Sequence, residues 1–248
     1  MIKNNRIKIL ISSIAILLPI AAGLILWDYL PDNMAVHFGT DGNADGFAGK
    51  SFTVFALPII MFALHLFCIF VTSLDYKNKE QNKKIFGMIF WIIPVISIYS
   101  SAIIYALALG VEIDIGIITL MLIGVMFIFL GNYLPKCKQN YTIGIKLPWT
   151  VYNEENWNKT HRLAGKLWVA GGILLLASVF LPNVVKPFVS VMVLAALIII
   201  PTLYSYLIYK KSGSEKIIIS KKQKITTALS LIILVVIMIL AIVVNRYL

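Results

Sequence analysis

Two short stretches of this chain concentrate the residue types that can do chemistry, and both lie in gaps between apolar runs. The first reads His37-Phe38-Gly39-Thr40-Asp41-Gly42-Asn43-Ala44-Asp45-Gly46, with Lys50 a few residues on. Asp41, Asn43, Asp45 and Gly46 match the opening of an EF-hand loop, in which alternate oxygens face one Ca²⁺. The twelfth position, however, is Phe52 and not the bidentate Glu, and no soluble helix leads in. One His with two Asp does not identify any other metal. The stretch therefore favours an Asp/Gly-rich turn whose side chains bond nearby backbone N–H groups. His37, Asp41, Asp45 and Lys50 are its candidate site residues, with no metal and no cofactor expected.

The second stretch is richer. It holds Gly131-Asn132, then Asn140 with Gly144-Ile145-Lys146, Pro148-Trp149-Thr150, and finally Trp157 with Thr160-His161-Arg162. Asn153 suits a helix N-cap, with Glu154 and Glu155 in the first turn where the helix dipole favours acids. On that helix Trp157, Thr160, His161, Ala164, Gly165 and Trp168 share one face at 3/4 spacing, and Lys159, Arg162 and Lys166 share another. One face can pack or hold a ligand; the other suits lipid phosphates. Tryptophans alone are explained by anchoring at a membrane interface. The dense Asn, Trp, His and Arg group is not, and it predicts a functional or fold-defining polar cluster. Its candidate residues are Asn132, Asn140, Gly144, Lys146, Trp149, Trp157, His161 and Arg162. No HExxH, GxSxG or Walker loop occurs, so no enzymatic template fits.

The elements that must position these residues are apolar. Seven uncharged runs cover Ile9–Trp27, Ser51–Leu74, Ile85–Val111, Ile115–Pro135, Leu167–Val185, Pro187–Tyr209 and Ile225–Asn245. A helix needs about 20 apolar residues to cross a bilayer core. The chain is 60% hydrophobic and 13% charged, which excludes an ordinary soluble domain. The pattern predicts an all-α polytopic membrane protein of seven transmembrane helices. Alternate gaps hold three, four, six and six Lys/Arg, and the remaining segments hold only Lys50, Lys186 and Arg246. The positive-inside rule then puts the N-terminus inside and the C-terminus outside. The net charge of +11 reads as loops facing anionic lipid, not as a nucleic-acid site. Pro94 is expected to kink the third span. His65 is the one candidate within the apolar spans for a mid-membrane proton or ion relay, and it reads instead as a hydrogen-bonded packing residue. Cys68 falls in the second span. Cys137 falls inside as a free thiol, expected to be labelled from the cytoplasm.

The same residues resemble a known family. Leu30-Pro31, His37-Phe38, Gly42, Gly46, Lys50 and Leu57-Pro58 look like the bacterial membrane domain DUF1648. Gly131-Asn132, Asn140, Gly144-Ile145-Lys146, Pro148-Trp149-Thr150, Asn153, Trp157 and Thr160-His161-Arg162 look like the SdpI domain. Together the resemblance covers about Ile9 to Tyr209, in the order found in SdpI-like proteins. It implies two regions, 1–84 with the first two spans and the outer loop and 85–210 with four spans and the motif loop; 211–248, a basic loop and an extra C-terminal span read from its apolar run, extends beyond the family's pattern. It also implies a non-enzymatic protein of the bacterial cytoplasmic membrane that confers immunity to a secreted peptide toxin, with signalling as a further role. Its partners would be membrane lipids, a peptide toxin and a cytoplasmic regulator, with no direct nucleic acid. A receptor that recruits a cytoplasmic partner, and a small-molecule or peptide transporter, are the alternatives.

Overall fold

The long apolar runs among the described residues become helical, because a backbone in lipid must satisfy its own hydrogen bonds. A computed structural model of the protein describes residues 2–39, 42–81 and 83–212. The chain is mostly helical, with α1 (Arg6–Ile25), α2 (Leu57–Leu74), α3 (Lys83–Ala108), α4 (Ile115–Tyr133), the short α5 (Pro148–Val151), α6 (Glu154–Ser178) and α7 (Val185–Lys211). Two strands, β1 (Asn33–Phe38) and β2 (Ala44–Gly49), lie between α1 and α2.

Five helical segments among the described residues are long and apolar enough to cross a membrane: Ile2–Ile25, Phe52–Leu74, Lys84–Ala108, Ile115–Lys136 and Val185–Lys211. The fifth expected span, Leu167–Val185, is only partly realised. α6 starts in the charged motif segment and ends at Ser178, so its apolar helical part begins only at Leu167. That apolar part alone is shorter than the about 20 residues a bilayer core asks for, although α6 as a whole has 25. The seventh expected span, Ile225–Asn245, lies outside the described residues.

The described chain forms two compact units. The first comprises residues up to Leu74 together with Phe86–Gly116. Here α1, α2 and α3 share a polar seam: Ser12 pairs with His65 Nε2 at 3.0 Å, Ser97 donates to Ile16 O at 3.1 Å and Tyr105 donates to Pro19 O at 3.1 Å. Pro19 lacks an N–H and leaves the Ala15 carbonyl without its helical donor; the α3 hydroxyls bond to the Ile16 and Pro19 carbonyls on either side of that gap. His65 is thus the hydrogen-bonded packing residue expected. Gly23 lets the helices close up, since a Cβ there would meet Val54 at 2.6 Å and the Tyr105 hydroxyl at 2.8 Å.

The first gap departs from the expected turn. It is an antiparallel hairpin with Asn33 opposite Gly49 and Phe38 opposite Ala44, bulged around His37. Met34, Val36 and Phe38 alternate as a half-buried strand requires, a signal outweighed by the Asp/Gly content that follows. Gly42 takes φ +81 at the tip, where a residue without Cβ is favoured. The hairpin rests its Met34 on Leu30, Val54, Ile104 and Tyr105. One turn of π-helix, Phe52–Ala56, leads on into α2.

The second unit comprises Asp75–Ile85 together with the chain from Ile117 onward. α4 and α6 meet backbone to backbone. Gly124 and Gly131 lie two turns apart on α4, and Gly165 and Gly172 do so on α6. A Cβ on Gly131 would come within 2.8 Å of Gly165 O, and one on Gly172 within 2.5 Å of Gly124 O. Small residues permit this approach in membranes, where packing and not hydrophobicity joins helices. Beside this crossing, Leu175 of α6 packs with Val193 and Leu197 of α7. Large apolar side chains such as Ile7, Phe180 and Met192 stay exposed, as lipid-facing positions do.

Candidate functional site

The motif loop between α4 and α6 is held by buried polar groups that satisfy one another. Asn140 organises its first half. The Asn140 carboxamide oxygen accepts from Thr142 N at 2.8 Å and Ile143 N at 2.6 Å, and its Nδ2 donates to Lys138 O and Ile143 O, both at 2.9 Å. An Asn bonding backbone two and three residues on is the local geometry that favours turns over helix. Thr150 closes the second half: its hydroxyl accepts from Leu147 N at 2.9 Å and lies 2.9 Å from Ile145 O.

α6 supplies the floor. Asn153 caps it as expected, accepting from Asn156 N at 2.8 Å. Trp157, Thr160, His161, Ala164 and Gly165 are all buried, while Lys159, Arg162 and Lys166 are exposed. The two faces read from spacing are therefore the two faces observed. Trp157 Nε1 donates to Cys137 O at 2.8 Å. Its ring stacks on His161 at 4.0 Å between centroids. His161 Nε2 lies 3.0 Å from Ile145 N and must accept from it, so Nδ1 carries the proton and donates to Trp157 O at 2.8 Å. Burial pushes the His161 pKa down to about 4, against a smaller upward effect of the Trp157 carbonyl. The imidazole is neutral and has a bond at each nitrogen. Gly144 takes φ +106, and a Cβ there would lie 2.5 Å from His161 Nε2.

A part of the site that the sequence did not reveal comes from the loop between α2 and α3. Buried Asp75 accepts from Tyr141 N at 2.7 Å, Thr142 Oγ1 at 3.2 Å and Lys77 N at 3.0 Å. Gln81 forms a two-way clasp, with Nε2 donating to Lys138 O at 3.0 Å and Oε1 accepting from Lys138 N at 2.9 Å. Lys77 donates to Gln139 at 2.7 Å and Asn78 to Thr142 at 2.9 Å. Burial lowers the Lys146 pKa, with Asp75 acting in the opposite direction. An acid in a basic loop carries no spacing signal; only its burial makes it conspicuous.

The expected cluster is thus partly assembled. Asn140, Gly144, Trp157 and His161 come together. Trp149 turns to α7, where Nε1 donates to Ser205 Oγ at 2.9 Å and the ring stacks on Tyr209. Asn156 reaches the same turn, donating to Ser205 O at 2.9 Å. Asn132 is exposed and, among the described residues, accepts from Lys136 at 3.3 Å; its neighbour Gly131 makes the close approach to α6. Arg162 is exposed, on the solvent-facing side of α6, while His161 is buried. Cys137 is the free thiol expected, but its burial bears on the labelling expected of it. Cys137 is 4% exposed, and burial pushes its pKa up to about 12 against the hydrogen bonds from Asn140 and Gln81. A protonated, enclosed thiol is a poor target for labelling.

The hairpin carries the other candidates. His37 Nδ1 pairs with Asp45 across the strands at 2.5 Å, with both side chains substantially exposed. Lys50 Nζ donates to Trp27 O at 3.2 Å, lies over the Trp27 ring, and stands 3.6 Å from Asp32. Asp41 lies outside the described residues. Among the described residues no group of three His, Cys, Asp or Glu is placed to hold a metal ion.

Comparison with known proteins agrees with this two-part layout. Residues 136–205 match the SdpI/YfhL protein family and residues 14–62 match the domain of unknown function DUF1648. Immunity protein SdpI of Bacillus subtilis (strain 168) is 30% identical over 210 residues, 84% of this chain and 99% of that relative. No solved structure matches. The chain belongs to the SdpI family and is a multi-pass bacterial membrane protein.

Proposed function

We propose that this protein is an immunity protein that shields the cell carrying it from a secreted, membrane-active peptide toxin, without catalysing a reaction. The observation that carries the reading is 30% identity to an immunity protein across 99% of that relative's length. The architecture is compatible: an exposed hairpin is available to a ligand, and a rigid motif loop sits at the other polar gap. In the finer reading seven helices span the membrane, the N-terminus lies inside and the C-terminus outside, and the 1–84, 85–210 and 211–248 regions act as hairpin, motif and anchor segments. The uneven Lys/Arg distribution supports that orientation.

Expression in a toxin-sensitive host tests the function. Survival should rise on exposure to membrane-active peptides from related producers, and unchanged killing by all of them would count against it. Orientation is tested by a membrane-impermeant maleimide on Asn183→Cys in intact cells. Labelling above the parent chain is expected, and labelling only after lysis would reverse the topology.

A second reading, signalling to a cytoplasmic partner, is favoured by the exposed Lys159, Arg162 and Lys166 face of α6. A ligand must favour one of two states for such a signal to pass. Pull-down with and without toxin separates the two readings, since immunity alone predicts no toxin-dependent partner.

A further inference from the structure

Small residues and Leu175 fix the packed sides of α6: Gly165 and Gly172 meet α4, and Gly171 and Leu175 meet α7. What remains of the helix surface is one exposed stripe at 3/4 spacing, made of Lys159, Arg162, Lys166, Ala170, Ile173 and Ala177. The stripe changes character once. Up to Lys166 it is cationic; beyond, it is apolar, with Ile173 and the adjoining Leu174 each 55% exposed. Small Ala170 stands where the two halves join.

The three cations differ in what holds them. Lys159 is bound to Glu155 at 2.6 Å. Arg162 and Lys166 form no hydrogen bond or ion pair among the described residues. They stand one turn apart, close enough for both head groups to reach a single anion. Their depth is set by α4. Gly165 lies against Gly131, and Gly131 precedes the Lys136 end of its apolar segment by roughly 7 Å along the axis. Lys166, next to Gly165, therefore sits at the edge of the hydrocarbon layer, from which a long side chain reaches the headgroups.

We propose that this stripe is a binding site for an anionic phospholipid. Arg162 and Lys166 hold the headgroup phosphate, the guanidinium by its planar fork and the ammonium as a point charge. The acyl chains lie along Ala170, Ile173 and Ala177. A zwitterionic lipid offers the same phosphate but brings its own cation to the site, so the pair selects net negative charge. The same cations carry the signalling reading. The depth of Lys166 and the apolar continuation of the stripe favour lipid, because a soluble protein meets helix ends and loops. The inference stands apart from the immunity reading and is tested without toxin.

The full chain in neutral detergent micelles is titrated with phosphatidylglycerol and phosphatidylcholine that share acyl chains and carry a fluorophore at a chain end. Phosphatidylglycerol should bind at least about fivefold more tightly. Arg162→Gln/Lys166→Gln should abolish that preference. Lys210→Gln/Lys211→Gln removes equal charge from the exposed end of α7 and should keep it. Arg162→Lys/Lys166→Arg should keep it too. All four positions are exposed, so each variant should retain the parent unfolding temperature, which is checked first. Glycerol phosphate, a headgroup without chains, should fail to compete at equal concentration, since it lacks the apolar half of the match. No preference in the parent chain, or equal loss of preference in both glutamine variants, would overturn the proposal. Full competition by glycerol phosphate would also overturn it, leaving a site for free phosphate. Absence of any lipid preference, with a toxin-dependent partner lost in Arg162→Gln/Lys166→Gln, would give the face to a protein instead.

Discussion

The hairpin and the motif loop are both polar inserts in an apolar chain, built on opposite plans. In and beside the hairpin the charged groups are paired near water: His37 with Asp45, both substantially exposed, and the largely covered Lys50 with the fully exposed Asp32. In the motif loop the polar groups are buried and bonded several times over, as at Asn140, Asp75 and His161. An exposed pair exchanges water for a partner at little gain, about 0–1 kcal/mol. A buried group that loses its partner costs about 1–3 kcal/mol. The hairpin can therefore change its charges to suit a ligand, whereas the motif loop must keep its set to keep its shape. The residues most conspicuous as chemistry, His161 and Asn140, are on this view structural, and the selective surface is the plainer one.

Breaking the motif loop should produce the largest effects. Gly144→Ala combines a positive φ with a Cβ directed at His161. A loss of about 3 kcal/mol is expected, from backbone strain and overpacking together, read as a lower unfolding temperature in detergent. A variant as stable as the parent would show that the loop is not rigid.

Acidification should act in the same place. The folded-state pKa of His161 is about 4, lowered from 6.5. Between those values the unfolded chain takes up a proton that the folded chain refuses. Stability is thus full above about pH 6.5 and falls as pH drops toward about 4, by on the order of 3 kcal/mol. Protonation would also remove the lone pair that accepts from Ile145 N. His161→Gln should flatten that part of the stability–pH curve, and an unchanged slope would assign it to other groups.

Asp75→Asn keeps the shape of the side chain but loses the charge and one acceptor oxygen. With Tyr141 N, Thr142 Oγ1 and Lys77 N competing for what remains, a loss of about 2 kcal/mol is expected in the same unfolding assay. No loss would mean that the α2–α3 loop merely lies against the motif loop.

The smallest effect belongs to the hairpin. His37→Ala removes an exposed pair and should shift stability by less than about 0.5 kcal/mol. It should nevertheless reduce protection more than Lys50→Ala does, if the hairpin is the ligand-facing element. Equal protection by His37→Ala and wild type, at matched expression, would remove His37 from the site. A large loss of stability in His37→Ala would erase the contrast between the two regions.

Much of this protein was legible from local pattern. Uninterrupted apolar runs force helices in lipid, so α1, α2, α3, α4 and α7 appear nearly where the runs lie. The cap at Asn153 and the two faces of α6 follow from spacing along one helix, which fixes direction without any partner. Family membership was carried by the same motif residues. The choice of partners was decided only in three dimensions. Asp75 sits 66 residues from Tyr141, and nothing along the chain announces that bond. Gly131 and not Asn132 matters at the α4–α6 crossing, because backbone approach depends on what lies opposite. Trp149 went to Ser205 on α7, and the Asp/Gly-rich gap became a hairpin because Met34 found a core to rest on. Periodicity sets which face a side chain points from; tertiary packing sets what it meets, and burial sets what that meeting is worth.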